Sequence, residues 1–257
     1  MARVLAQAVK DGSPSTDAGS EQVRWAIRAD HQTAGQGQHG RNWTDGAGRD
    51  LCLTAVLTSR PSLGAKKTRL ADETAWTLNM KVCLAIADAI DCATEKSKSA
   101  PVGVVVKWPN DLFVAERKIS GVLIENTWRG KEMSSAVIGI GLNIHGQPPY
   151  PNATSLEMAG CTPLDIDQME KLVLTALAER LDGQQAHGAL LKEYNARLLG
   201  QGMAQRWMLD GKEIRGVLDR IDLDGRMWLQ GEKAGYAPGE ASWLGFEPDS
   251  SRRISQT

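Results

Sequence analysis

No apolar run in this chain approaches the roughly 20 residues that a membrane-spanning helix needs, and none of its four cysteines stands in a C-x-x-C pair. The first absence argues against a helical membrane protein. The second, with Cys52, Cys83, Cys92 and Cys161 widely spaced, argues against a zinc ribbon and against a disulfide scaffold. His31, His39, His145 and His187 show no metal-ligand spacing, so no protein-built metal site is expected. The opening residues, MARVLAQAVKDGS, lack the long apolar core and small-residue cleavage site of a secretory signal, and the expected location is cytoplasmic. Thirty basic against 31 acidic side chains leave a net charge of -1, which offers no global footprint for DNA or an anionic membrane. What is present is ordinary for a soluble globular chain: 42% hydrophobic and 24% charged residues. A length of 257 residues suits one large domain or a main domain with a small companion.

The patterning then divides the chain. Residues 2–10 have helical spacing, stopped by Asp11-Gly12, and SPSTDAGSEQ reads as a surface loop. VRWAIRA (23–29) reads as a strand and LCLTAVL (51–57) as a buried one, with a glycine-dense segment between them. The spacing predicts a long amphipathic helix over 70–92 and two more over 166–182 and 188–199. Between them VGVVVKW, LFV, ISGVLIEN and MSSAVIGIGLNI read as strands, and the proline-rich HGQPPYPNAT breaks regular structure. From about residue 204, short apolar runs alternate with the turn dipeptides Asp210-Gly211 and Asp224-Gly225, the local signal of β-hairpins. The expected fold class is α+β: a mixed β-sheet domain over 1–202 with helices packed on it, then a small C-terminal β-barrel over 203–250.

Four segments have residue types that carry chemistry. In Gly35-Gln36-Gly37-Gln38-His39-Gly40-Arg41-Asn42-Trp43, closely spaced glycines let backbone amides approach an anion, with a cation and a stacking ring beside them. No Gly-Lys-Ser/Thr follows, and no helix opens after it, so it is neither a P-loop nor a dinucleotide fingerprint; a plain surface loop has the same look. Lys107-Trp108-Pro109-Asn110-Asp111 places a lysine, an amide and a carboxylate at a turn after a buried strand, although Asn-Asp also caps ordinary turns. In Arg117-Lys118-Ile119-Ser120-Gly121-Val122-Leu123-Ile124-Glu125, Lys118 follows across a hairpin, and two lysines on paired strands clamp a phosphate or carboxylate; lysines on a sheet edge also simply resist aggregation. In Gly139-Ile140-Gly141-Leu142-Asn143-Ile144, glycines inside a strand mark close approach of another group or a bulge, and Asn143 has an amide able to read a base edge.

In this order the four segments resemble the catalytic domain of biotin–protein ligases (biotin–[acetyl-CoA-carboxylase] ligases). QTAGQGQHGRNW resembles the family's biotin- and phosphate-binding loop, KWPND its most specific pentapeptide, RKISGVLIE the strand whose lysine touches biotin and adenylate, and GIGLNI the strand with the adenine-contacting asparagine. The resemblance extends over about residues 1–245 and implies a class II synthetase-like catalytic domain followed by an SH3-like domain. It implies ATP-dependent formation of biotinyl-5′-AMP with Mg²⁺ assisting, then transfer of biotin to a lysine of a biotin carboxyl carrier protein. The catalytic residues implied are Lys118, Lys107, Arg41 and Asp111. Biotin would be held by Gln32, Gln36, Gly37, Gln38, Lys118 and Gly121. The adenylate would be held by Gly35, Gly40, Arg41, Trp43, Asn110 and Asn143.

Two departures bear on this expectation. The family's loop commonly has arginine where this chain has Gln36 and Gln38; glutamine gives up a charge-assisted bond worth about 1 kcal/mol or more, so weaker retention of the adenylate is expected. The family's Ser-Thr motif for the ureido ring precedes its first helix, whereas Ser15-Thr16-Asp17 follows the helix expected at 2–10. The motif and leading strand are therefore expected upstream of Met1. The repressor-type DNA-binding segment is absent from the sequence, so no operator binding is expected; monomer and homodimer both remain open. The alternatives are a lipoate or octanoate ligase or transferase of the same superfamily, and an impaired, non-catalytic biotin-binding protein.

Overall fold

A computed structural model describes residues 14–15, 23–58, 70, 73–162 and 165–247. The helix expected at 2–10 and Thr16-Asp17 lie outside the described residues. Pro14–Ser15, expected in a loop, forms a short strand, β1, against β2 (Val23–Ala29). The main sheet continues through β5 (Asp50–Thr58), β9 (Glu132–Asn143), β8 (Arg117–Arg129), β7 (Asp111–Val114) and β6 (Val105–Lys107), in the order β1-β2-β5-β9-β8-β7-β6. All its strand pairings are antiparallel. The expectation of a mixed sheet is thereby corrected: the connection from Asp111 to Asn143 is a run of hairpins, and hairpins join antiparallel neighbours. Between β2 and β5 the glycine-dense segment forms a small ribbon, β3 (Gly35–Gln36) with β4 (Asn42–Trp43).

The helix α1 (Ala75–Lys96) runs through the core and is buried on most sides. It starts at Ala75, later than its apolar spacing predicts, because Thr74 and Thr77 form a reciprocal capping box. α2 (Ile166–Asp182) matches its expected span, with Asp165 as N-cap, and α3 is His187–Ala196. Arg180 of α2 binds Asp88 of α1 and Glu193 of α3, tying the three helices together. Strand alternation sorts the sheet's two faces. Ala136, Ile138 and Leu142 of β9 join the core beneath the helices. Val137, Gly139 and Gly141 look the other way, into a cavity.

The last 44 described residues, from Ala204, give an antiparallel sheet in the order β12-β11-β10-β13: β10 (Ala204–Leu209), β11 (Lys212–Ile221), β12 (Met227–Leu229) and β13 (Ala241–Phe246). The two Asp-Gly dipeptides are its hairpin turns, with positive φ at Asp210, Gly211 and Gly225. The sheet is open, and its end strands β12 and β13 are not paired to each other.

Candidate active site

The cavity, about 920 Å³, lies on the face of the main sheet opposite the helices. Its floor follows from residue size. Ala29, Cys52, Gly141 and Gly121 are cross-strand partners on four neighbouring strands, so one transverse row of the sheet carries almost no side-chain bulk. The indole of Trp43 lies in that trough. A Cβ on Gly141 would meet Trp43 Cε2 and Cζ2 at 2.3 Å, and one on Gly121 would meet Lys118 Nζ at 3.0 Å and Trp43 Cζ3 at 3.3 Å. The ring thus leaves no room for a side chain at 141, whereas a methyl at 121 needs the Lys118 ammonium and the ring edge to give by a few tenths of an ångström.

Charge gathers at one end. Lys107 at the end of β6 and Lys118 at the start of β8 flank Asp111, the first residue of β7; Lys118 Nζ is 2.6 Å from Asp111 Oδ1 and Lys107 Nζ 3.4 Å from Oδ2. Lys118 also stands over the Trp43 ring at 5.6 Å and Lys107 over Phe113 at 5.8 Å. With Arg41, the cavity wall holds three cations against two carboxylates, Asp111 and Glu125. An anionic ligand therefore meets a net positive end in which both ammonium groups are already oriented.

The turn that delivers these groups is held from three sides. Asn79 of α1 and Tyr194 of α3 both donate to the Pro109 carbonyl, at 2.9 and 3.1 Å. Trp108 Nε1 donates to Gly225 O in the C-terminal sheet at 3.0 Å. Asn110 is buried, and its amide donates to the Val122 carbonyl. Lys107 and Asp111 thus face the cavity while Trp108 and Pro109 fasten the turn; Asn110 lines the cavity with its amide already engaged.

Over the floor lies the glycine-rich loop. Gln32, Gly35, Gln36, Gly37, Gln38 and Arg41 all line the cavity. Gly40 does not; its φ of +72° makes it the residue that turns the chain. The Gly37 amide donates to Arg41 O at 2.7 Å, so it braces the loop rather than pointing at a ligand. Asn143 donates through Nδ2 to Thr154 O at 2.9 Å, while its Oδ1 is buried with no hydrogen-bond partner among the described residues. A buried orphan acceptor calls for a donor from a ligand or water. All the sequence-derived site residues except Gly40 therefore share this one cavity.

Several lining residues carry no local sequence signal. Tyr150, in the segment expected only to break regular structure, holds the loop's outgoing arm: its hydroxyl accepts from the Thr44 amide and donates to Asn42 O at 3.3 Å. Ser242 and Trp243 of β13 close one wall, with Trp243 edge-on to Phe113 at 5.9 Å. Their place depends on how the C-terminal sheet docks, which no short motif records. Cys52 and Cys83 are buried, and burial pushes both thiols far above the ordinary range; neither is a nucleophile here.

The model of the biotin/lipoate A/B protein ligase family matches residues 11–143. The biotin–[acetyl-CoA-carboxylase] ligase of Mycobacterium tuberculosis is 30% identical over 78% of this chain and 71% of its own length, and that of Paracoccus denitrificans is 31% identical over 80% and 84%. The bifunctional ligase/repressor of Bacillus subtilis is 29% identical over 70% of this chain, which covers 54% of that protein. Among solved structures, the biotin protein ligase of Aquifex aeolicus in complex with biotin and ATP superposes with a TM-score of 0.68 at 24% identity, covering 86% of this chain and 88% of that one. That likeness is one of fold. With the family model spanning residues 11–143 and relatives aligned over most of its length, this chain belongs to the biotin/lipoate A/B protein ligase family.

Proposed function

We propose that this chain is an ATP-dependent biotin–protein ligase that forms biotinyl-5′-AMP and transfers biotin to a lysine of a biotin carboxyl carrier protein. The observation that carries the reading is the convergence of Lys107 and Lys118 on Asp111 in a cavity roofed by the glycine-rich loop. A carboxylate and a phosphate repel each other, and the first step brings them into contact. A carboxylate oxygen of biotin attacks the α-phosphorus of ATP, and the bond to pyrophosphate breaks. Lys118 is the cation placed to bridge the two anions, with Lys107 and Arg41 supporting the phosphates. In the second step the carrier's lysine amine attacks the acyl carbon and AMP leaves. Asp111, held between two lysines, orients that amine or takes its proton.

Gln32, Gln36, Gln38, Gly37 and Gly121 surround biotin; Gly35 and Trp43 lie along the adenylate; Asn143 offers its orphan Oδ1 to the adenine amino group. Asn110 and Gly40 act from behind, through the Val122 carbonyl and the loop's turn. Mg²⁺ would enter with ATP, and Asp111 and Glu125 are the cavity-lining carboxylates that would be available to hold it. When bound it neutralises phosphate charge. We assign residues 1–202 to the catalytic domain and 203–250 to a module equivalent to the family's SH3-like domain. The ATP requirement and the carrier partner support a cytoplasmic location as part of this proposal. No described helix is long and apolar enough to cross a membrane.

The test is to mix the protein with biotin, MgATP and a carboxyl carrier domain and weigh the carrier. A gain of one biotinyl group is expected. Replacing biotin by lipoate or octanoate separates the superfamily alternative, and ligand binding without any mass gain identifies a non-catalytic binder.

A further inference from the structure

The two ends of the glycine-rich loop meet at one carboxylate that does not itself line the cavity. Asp45 lies just past the loop, and its side chain is 1% exposed. Its Oδ2 accepts the backbone N–H of Gln32, the loop's first cavity-lining residue, at 2.6 Å. Its Oδ1 lies 2.7 Å from His31 Nδ1 and accepts the Ala47 N–H at 2.7 Å. Cys52 Sγ of β5 approaches Oδ2 at 3.6 Å. Asp50 pins the same turn from the other side, accepting from Gly46 N at 2.6 Å and from Ile144 N, next to Asn143, at 3.1 Å. Burial works against an ionised Asp45, but the donors from His31, Gln32 and Ala47 outweigh it and hold the carboxyl below its ordinary range.

The consequence reaches the cavity through Gln32. Its Oε1 lies 2.8 Å from where a Cβ on Gly35 would sit, and Gly35 is the strand partner of Trp43. The Gln32 side chain thus lies beside the short ribbon that carries Trp43. We propose that Asp45 is the positioning residue of the glycine-rich loop: its carboxylate closes the loop's neck and so sets how long the loop stays down over the adenylate. The donors demand an acceptor with no hydrogen of its own, which a carboxylate supplies and an amide does not.

This inference rests on the ligase reading, and the experiment separates the two. Asp45→Asn keeps the shape but turns an NH₂ toward the His31, Gln32 or Ala47 donors. Release of biotinyl-5′-AMP in the absence of carrier is expected to rise roughly tenfold or more, with a similar rise in tryptic cleavage at Arg41–Asn42 while cleavage at other sites keeps its parent rate. His31→Ala removes one donor at the half-exposed edge and leaves the sheet core intact, so it decides the matter if Asp45→Asn fails to fold; a smaller rise in both readouts is expected. If parent protein forms biotinyl-5′-AMP and both folded variants retain it as long as the parent, with unchanged cleavage at Arg41, the inference is wrong. If the parent forms no adenylate, the ligase reading fails, and the cleavage rates alone still judge the neck.

Discussion

Substituting Gly141 tests whether the cavity floor is what holds Trp43 and, through it, the loop. In Gly141→Ala the new methyl would sit 2.3 Å from two carbons of the indole, well inside contact distance. Gly141 is paired on both sides, to Cys52 and Gly121, so its backbone has little room to retreat and the ring must leave the trough. A tryptophan buries roughly 150–250 Å². If about 80 Å² of that is the contact with the trough, lifting it out loses about 2 kcal/mol at 25 cal/mol per Å². The expected size of an overpacking effect, about 1–3 kcal/mol, brackets the same figure. Two kilocalories correspond to roughly 30-fold in an equilibrium, so biotinyl-5′-AMP is expected to dissociate roughly 30 times faster from Gly141→Ala, with the fold retained. Gly139 is the control: its Cβ would meet only Leu123, at 3.6 and 3.8 Å, so Gly139→Ala leaves Trp43 in place. Stopped-flow or trapping measurements of adenylate release decide it. A Gly141→Ala protein that holds the intermediate within threefold of the parent would show that the indole's seat in the trough has no part in retention.

Three further outcomes follow from the same geometry. Lys118→Met removes the cation over the Trp43 ring, and pyrophosphate exchange is expected to fall roughly 100- to 1000-fold; Lys118→Arg, whose planar fork does not match the point charge, restores little of it. Away from the cavity, the Arg180 guanidinium holds the Glu193 carboxyl at about 2, against an ordinary 4.5. A depressed folded-state value stabilises the protein fully above pH 4.5 and loses that contribution as pH falls toward 2. After allowance for the partial exposure of the pair, the difference between parent and Glu193→Gln in urea unfolding is expected to be about 1 kcal/mol at pH 6 and to vanish near pH 2. Finally, iodoacetamide is expected to label half-buried Cys92 well before buried Cys52 and Cys83, as peptide mass mapping would reveal; prompt labelling of Cys52 would mean the loop neck is open.

The elements that the sequence announces correctly are those whose signals are local. Val23–Ala29 and Ile166–Asp182 match their expected spans, one by alternation and the other because Asp165 caps its start and Gly183 its end. The Asp-Gly turns of the C-terminal sheet are equally local. The start of α1 is shifted by the Thr74–Thr77 box, which outweighs the apolar spacing of Leu70. The site is legible for the same reason wherever it sits in compact segments, as Lys107, Asp111 and Lys118 do. Asp45, Tyr150 and Trp243 stay hidden because each gains its role from a partner brought near by folding: Asp45 from Cys52 and the returning loop, Tyr150 from Asn42 and Thr44, Trp243 from Phe113. The strand directions of the main sheet are likewise a property of connections, not of alternation.

The bond from Trp108 to Gly225 gives the small sheet a mechanical office. Trp76 packs against the same glycine, and on the far side Trp243 abuts Phe113, so the C-terminal strands grip the lysine-bearing hairpin like a vice with two jaws. Any torque on those strands, for instance from an incoming carrier, arrives one peptide away from Lys107. A chimera that exchanges residues 204–246 with those of a relative therefore keeps its chemistry only if the graft brings jaws cut to fit Trp108 and Phe113.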